Sequence, residues 1–194
     1  MIDPSTIHQF AQIVIRGVTA GRTVEIDGLG SFYPDTVWGF RFEAATAPKV
    51  FIAYVSEDAA EALKIFTALE AAGFNPWIDS QKLLAGQNWP RAIESAIESC
   101  DFFIACFSEN SVNKRGGFQA EIRYALDCAR RMPLDQIFVL PIRLNLCRVP
   151  RAVNREVHQV DLFPDWDRGL HKVIDSMRSE AARRNTARPA VTRK

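Results

Sequence analysis

Residues 102–108 read FFIACFS, apolar through the sixth position with no alternation. A strand with one face in water alternates apolar and polar side chains, so an unbroken run of this length predicts a strand covered on both faces, in the middle of a parallel sheet. Two covered faces require helices on both sides, and the flanking sequence supplies them. Upstream, VFIAY at 50–54 is a second short apolar run, followed by Ser56, Glu57 and Asp58, a helix start whose acids suit the helix dipole. Ala62, Leu63, Phe66 and Leu69 recur at spacings of three and four and predict an amphipathic helix stopped by Gly73. A strand over Phe74–Ile78 and a helix over Trp89–Cys100, with Ile93, Ala96 and Ile97 on one face, lead into FFIACFS. Downstream come a helix over Gly117–Arg131, through Ile122, Ala125, Leu126 and Ala129, then strands over Ile137–Leu144 and Val157–Phe163, then a helix over Trp166–Met177. Strand and helix alternating with short connections predict a doubly wound α/β fold around a five-stranded parallel sheet.

The chain has 194 residues, enough for one medium domain and an appendage. With 47% hydrophobic and 24% charged residues, disorder is excluded as the state of the whole. The 24 basic and 23 acidic residues leave a net charge of +1, so no overall field draws the protein to nucleic acid or anionic lipid. Cys100, Cys106, Cys128 and Cys147 form no C-x-x-C pair and no metal-ligand spacing, so they read as thiols of a reducing compartment with no metal site. The start of the chain has no secretory pattern and no stretch is long and apolar enough to span a bilayer, so a cytoplasmic protein with no membrane partner is expected.

Both ends differ from the regular core. Residues 1–48 predict a helix over Ser5–Thr19 and a hairpin-like stretch in which TVEI and WGFRFEA flank the turn residues Gly28, Gly30, Pro34 and Asp35. Residues 178–194 set Arg178, Arg183, Arg184, Arg188, Arg193 and Lys194 against the single acid Glu180, and this composition predicts a basic disordered tail. The expected organisation is therefore an appendage at 1–48, a domain at 49–177 and a tail at 178–194.

Ligands of open parallel sheets sit beyond the carboxyl ends of the strands, where the strand order reverses. The residues delivered there are Tyr54, Val55 and Ser56 after the first strand and Ser108, Glu109 and Asn110 after the third, with Glu121 early in the following helix and Trp77 and Asp79 on the rim. YVSED has none of the glycines a dinucleotide turn needs. The third strand ends in Ser108, where a phospho-acceptor domain needs an aspartate. His8, His158 and His171 lie in or near peripheral elements, away from any nucleophile they would have to activate.

Four blocks stand in order: KVFIAYVSED (49–58), GFNPWIDSQKLLAGQNWPRAIESAIESCDFFIACFSENSV (73–112), KRGGFQAEIRYALD (114–127) and IFVLPIRL (137–144). Together they closely resemble bacterial Toll/interleukin-receptor (TIR) domains, over residues 49 to about 177. The resemblance implies a flavodoxin-like fold in which the connection from Asp79 to Asn88 is the mobile BB loop used in self-association. Many bacterial and plant members cleave NAD+ at the nicotinamide–ribose bond, often as stress- or phage-triggered defence effectors, and some cyclise the ADP-ribose into a signal; others act only as scaffolds. NAD+ is thereby implied as a consumed substrate, with no bound cofactor. Glu121 of FQAEIRYAL matches the family's catalytic glutamate, and Tyr54 and Trp77 match positions that line its nucleotide pocket. Ser56 and Ser108, at the strand ends, and Phe118 join them as expected substrate contacts, since the family often has an aromatic residue where this chain has Gly117 and Phe118 stands one place on. Asp79, Lys82, Leu83, Leu84, Gly86 and Trp89 fall in the BB-loop block and are the expected assembly residues.

The implied chemistry needs only one carboxylate. Nicotinamide leaves as a neutral ring from a cationic one, so no general acid is required, and an ionised carboxylate can stabilise the oxocarbenium-like ribose left behind. Read from the residues alone, Glu121 is a first-turn acid stabilising its helix, and it is the resemblance that implies the catalytic role. A self-association-activated NAD+ glycohydrolase is the expected function, and a non-catalytic TIR scaffold the competing class. GRTVEIDGLGSF (21–32) is weakly similar to the hairpin entry of HU-type DNA-binding proteins. No basic arm follows it, because TVWGFRFEA offers only Arg41, so residues 1–48 are expected to contact a second copy or a partner protein, and no nucleic acid. The BB-loop reading carries its own test. Leu83 and Leu84 are an apolar pair that a loop exposes unless it meets a partner, so Leu83→Asp is expected to spare the melting temperature and weaken oligomers in sedimentation.

Overall fold

The computed structural model describes residues 4–26, 29–44, 46–78 and 89–187. The chain divides into two compact units, residues 1–47 and 48–194. In the first, helix α1 (Pro4–Thr19) lies against an antiparallel sheet of β1 (Val24–Ile26), β2 (Gly30–Asp35) and β3 (Gly39–Ala44), in that order. Val14 and Val18 are the buried valines of α1. Gly30, Pro34 and Asp35, expected as turn residues, are instead the start and end of the central strand; Gly28 lies outside the described residues. The turn comes one step later, where the Asp35 carboxylate accepts hydrogen bonds from the Val37 and Trp38 amides at 2.9 and 2.8 Å. Those bonds, that from Trp38 foremost, hold the Asp35 carboxyl below its usual value. Phe32 meets Phe42 at 4.7 Å and Phe40 at 5.7 Å between ring centres, while Trp38 at the turn is 83% exposed.

The second unit is built on β4 (Lys49–Ala53), β5 (Asn75–Trp77), β6 (Phe102–Phe107), β7 (Val139–Arg143) and β8 (Val160–Asp161). All neighbours are parallel, in the order β5-β4-β6-β7-β8, which is the flavodoxin-like arrangement. All six residues of β6 are buried, as a central strand requires. Its even-numbered side chains, Phe102, Ile104 and Cys106, join Val50, Ile52 and Ile142 under α2 (Ala59–Ala71) and α6 (Trp166–Ala187). Phe103, Ala105 and Phe107 join Phe51, Ala53 and Val139 under α3 (Trp89–Ser99) and α4 (Gly117–Arg130). A short helix, α5 (Arg151–Asn154), precedes β8. At Gly169 a Cβ would stand 2.4 Å from the Asp161 carbonyl oxygen, so only glycine lets α6 approach β8 this closely.

Two expectations are corrected. Leu63 is 49% exposed, because the buried stripe of α2 runs through Ala62, Ile65 and Leu69 and leaves Leu63 off its flank. Residues 178–187 are helical, not disordered: they extend α6, and only 188–194 lie outside the described residues. Composition misses the partners that hold this extension. Arg178 donates to the Ala72 carbonyl at 3.1 Å, and Arg184 donates to the Asp101 and Ile137 carbonyls at the starts of β6 and β7. The Arg184 guanidinium also lies 4.6 Å from the centre of the Phe102 ring. Glu180, 3% exposed, ties the group together by accepting from Arg183 and Arg184 at 2.9 Å.

Burial pushes the Glu180 carboxyl up, but the hydrogen bonds from Arg183 and Arg184 outweigh it and hold the group below the ordinary glutamate value. A lowered folded-state value contributes stability that is present above the ordinary value and lost as pH falls through the lowered one. Glu180→Gln is therefore expected to cost roughly 1–3 kcal/mol in urea unfolding at neutral pH, and the gap from the unsubstituted protein should narrow as the pH drops below the ordinary glutamate value.

Candidate functional site

Strand order reverses between β4 and β6, so the crevice at their carboxyl ends is where this architecture binds ligands. A buried polar network pins its two walls together. The Asp58 carboxylate, 4% exposed, accepts hydrogen bonds from Ser108 Oγ at 2.5 Å and Asn110 Nδ2 at 2.8 Å. Ser108 Oγ in turn accepts from the Asn110 and Ser111 amides at 3.1 and 3.2 Å, and the Ser108 amide donates to Ser111 Oγ at 2.8 Å. Gln119 Nε2 donates to the Ser111 carbonyl at 3.4 Å, which connects the network to the first turn of α4, two residues before Glu121. Above the network, Lys114 pairs with Glu57 at 2.5 Å and reaches Ser56 Oγ at 3.4 Å. The Lys114 ammonium beside it brings the Glu57 carboxyl down to about 2.

The expected site residues that the structure describes lie as follows. Tyr54 is half-buried and packs on the core beside α2, and Ser56 is exposed at the mouth. Trp77, half-buried at the end of β5, packs on Phe51 at 4.7 Å, and Phe51 stacks on Phe103 at 5.3 Å. Ser108 is fully buried with its hydroxyl committed to Asp58, and Phe118 is 7% exposed with its ring edge-on to Phe107 at 5.8 Å. Both side chains thus serve the interior, and neither is turned to the crevice. Glu121 is partly exposed on α4. A Cβ at Gly117 would lie 3.7 Å from Glu121 Oε1, an ordinary contact, so the carboxylate reaches back beside position 117. Asp79, Lys82, Leu83, Leu84 and Gly86 lie outside the described residues; Trp89 begins α3.

Sequence reasoning places Asn110 at the crevice and Asp58 at a helix start, but joins neither to Ser108. Fifty positions separate Asp58 from Ser108, and no local pattern records that contact. Gly116 caps α4 at φ 124°, a conformation that favours glycine. Other chemistry is poorly supplied. Burial raises the Cys100 thiol to about 12 and lifts those of Cys106 and Cys147, so all three are weak nucleophiles. Among the described residues no group of three or more His, Cys, Asp or Glu could hold a metal ion, and no helix is long and apolar enough to cross a membrane. A cavity of about 1210 Å³ runs along β8 and α6, and another of about 650 Å³ lies between Glu109 and Arg151; neither includes Glu121, Tyr54 or Trp77.

The sequence model of the TIR domain matches residues 50–174, well over half of the chain. The chain belongs to the TIR domain family. It is 28% identical over 117 residues to the uncharacterized protein y4cD of Sinorhizobium fredii, a match covering 60% of this chain and 18% of that protein. The chain thus spans less than a fifth of that curated relative. Among solved structures, a metazoan TIR-STING receptor from C. gigas in complex with 2',3'-cGAMP superposes with a TM-score of 0.56 at 21% identity, over 66% of this chain and 38% of the receptor. The TIR domain of the Toll-related receptor TRR-2 from Hydra magnipapillata superposes with a TM-score of 0.52 at 22% identity, over 65% of this chain and 97% of that one. At these identities the likeness concerns the fold.

The network sets a stability test for this TIR domain. Asp58→Ala deprives Ser108 and Asn110 of their acceptor in a buried place and is expected to cost roughly 1–3 kcal/mol in urea unfolding. Gly116→Ala, which forces an alanine into a left-handed conformation, is expected to lower the melting temperature, while Gly117→Ala meets only the edge of Glu121 and leaves it near the unsubstituted value.

Proposed function

We propose that this TIR domain hydrolyses NAD+ at the nicotinamide–ribose bond, with Glu121 as the carboxylate that stabilises the transition state. The observation that carries the reading is the partly exposed place of Glu121, on a helix whose start is fixed to the switch-point crevice. The C–N bond to nicotinamide breaks with its electron pair going to the ring, which becomes neutral; water adds to the ribose carbon and loses a proton, giving ADP-ribose. Glu121 opposes the positive charge that builds on the ribose, and Tyr54 and Trp77 offer ring surface at neighbouring strand ends. Assembly through the 79–88 connection is part of the same reading, and a bacterial stress or antiphage effector is the role we assign to it.

A second reading, a TIR scaffold without activity, is favoured by one observation: no ring from positions 117 and 118 accompanies Glu121, since Gly117 has none and Phe118 faces the core. Nicotinamide release from NAD+ by concentrated or crowded protein distinguishes the two. Glu121→Gln is expected to reduce the rate about 100-fold or more at unchanged melting temperature. Release that survives the substitution removes Glu121 from its role, and absence of release in every assembled state favours the scaffold.

A further inference from the structure

Strand β3 pairs with β2 on one side, and among the described residues no strand pairs with its other side. All six of its residues are exposed. Among the described residues the other sheet edges are blunted: β5 has three residues including Pro76, β8 has two and β1 has three. Short strands, proline and edge charges are how sheets discourage edge-to-edge pairing; β3 has neither of the first two, and its charges, Arg41 and Glu43, are of opposite sign, so they select a register.

The backbone of β3 dictates which of its groups point outward. Pro34 has no amide hydrogen, so Pro34↔Phe40 cannot be a reciprocally hydrogen-bonded pair, and those pairs on the β2–β3 ladder are Ser31↔Glu43, Tyr33↔Arg41 and Asp35↔Gly39. The amides and carbonyls of Phe40, Phe42 and Ala44 therefore face away from β2. An added antiparallel strand must form its hydrogen-bonded pairs with these three. If the added strand is a second β3 related by a two-fold axis, registers centred on positions 41 or 42 pair five of its six residues, and those centred on 40 or 43 pair only three. Centring on 41 opposes Arg41 to Arg41, and centring on 43 opposes Glu43 to Glu43. Centring on Phe42 opposes Arg41 to Glu43 twice, at non-hydrogen-bonded positions where side chains come closest, and pairs Phe42 with Phe42 and Phe40 with Ala44. Within one chain Arg41 and Glu43 share a face, 3.2 Å apart, and Phe40 and Phe42 lie on the other beside Phe32.

We propose that β3 pairs with β3 of a second copy of this chain about a two-fold axis through Phe42, joining two three-stranded sheets into one of six strands. The proposal does not depend on any activity of residues 48–194.

Sedimentation equilibrium of the full chain tests it by charge exchange. Arg41→Glu and Glu43→Arg each place like charges across the axis and are expected to weaken the dimer about tenfold or more, with circular dichroism unchanged. Mixed together, the two variants face each other with opposite charges at both positions and are expected to form a heterodimer. The double variant R41E/E43R, complementary to itself again, is expected to regain the homodimer. A monomeric full chain, a dimer that both single reversals leave unchanged, or reversed variants that fail to pair when mixed would overturn the proposal.

Discussion

The burial of β6 on both faces is the constraint from which residues 48–194 follow. Six consecutive covered residues leave no backbone amide or carbonyl within reach of water, so each must find a partner in a neighbouring strand, and β4 and β7 supply them. The two side-chain faces must then be roofed separately, by α2 and α6 on one side and α3 and α4 on the other. A strand so enclosed can present chemistry only at its ends. Its amino end is closed by Arg184, which holds the carbonyls of Asp101 and Ile137. Its carboxyl end runs into Ser108, and there the polar residues gather.

That gathering is organised around one buried carboxylate. Asp58 stands at the N-cap of α2, and its two oxygens are each met by a donor from the connection after β6, so the two connections are tied together. The Ser108 hydroxyl oxygen accepts the amides of Asn110 and Ser111 and thereby turns the chain sharply out of the sheet. Gln119 then fastens the beginning of α4 to that turn. Glu121 stands two residues beyond the last of these bonds, on a helix whose beginning they fix. This separates positioning from contact: Ser108 is at the crevice in sequence but serves its wall in space.

Much of the fold was legible because burial leaves a local signature. The unbroken apolar run at 102–107 marked the central strand, and Ile93, Ile97, Ile122, Ala125 and Leu126 marked the helical stripes that cover one of its faces. What escaped was whatever depends on partners distant in the chain. The Asp58–Ser108 bond spans 50 positions, and the carbonyls held by Arg178 and Arg184 lie between 47 and 106 positions away, so a window over 178–187 sees unbalanced charge and no reason for a helix. The second strand of the first unit escaped for a different reason. Proline argues against a strand interior, yet Pro34 sits where the ladder does not need its amide, and the strand tolerates it.

The two units place opposite demands on exposed edges. An enclosed parallel sheet is slow to assemble and vulnerable to edge-to-edge aggregation, and in residues 48–194 its edges are a three-residue strand with proline and a two-residue strand. The longer open edge lies in the first unit, where Arg41 and Glu43 make one register favourable and its two neighbours repulsive. A contact specified in this way can be weak per residue and still matter for the rest of the chain. Two copies joined at β3 hold their TIR domains on one particle, at a mutual effective concentration on the order of millimolar for short connections. A TIR–TIR contact too weak to form between separate chains at micromolar concentration would be populated within such a pair.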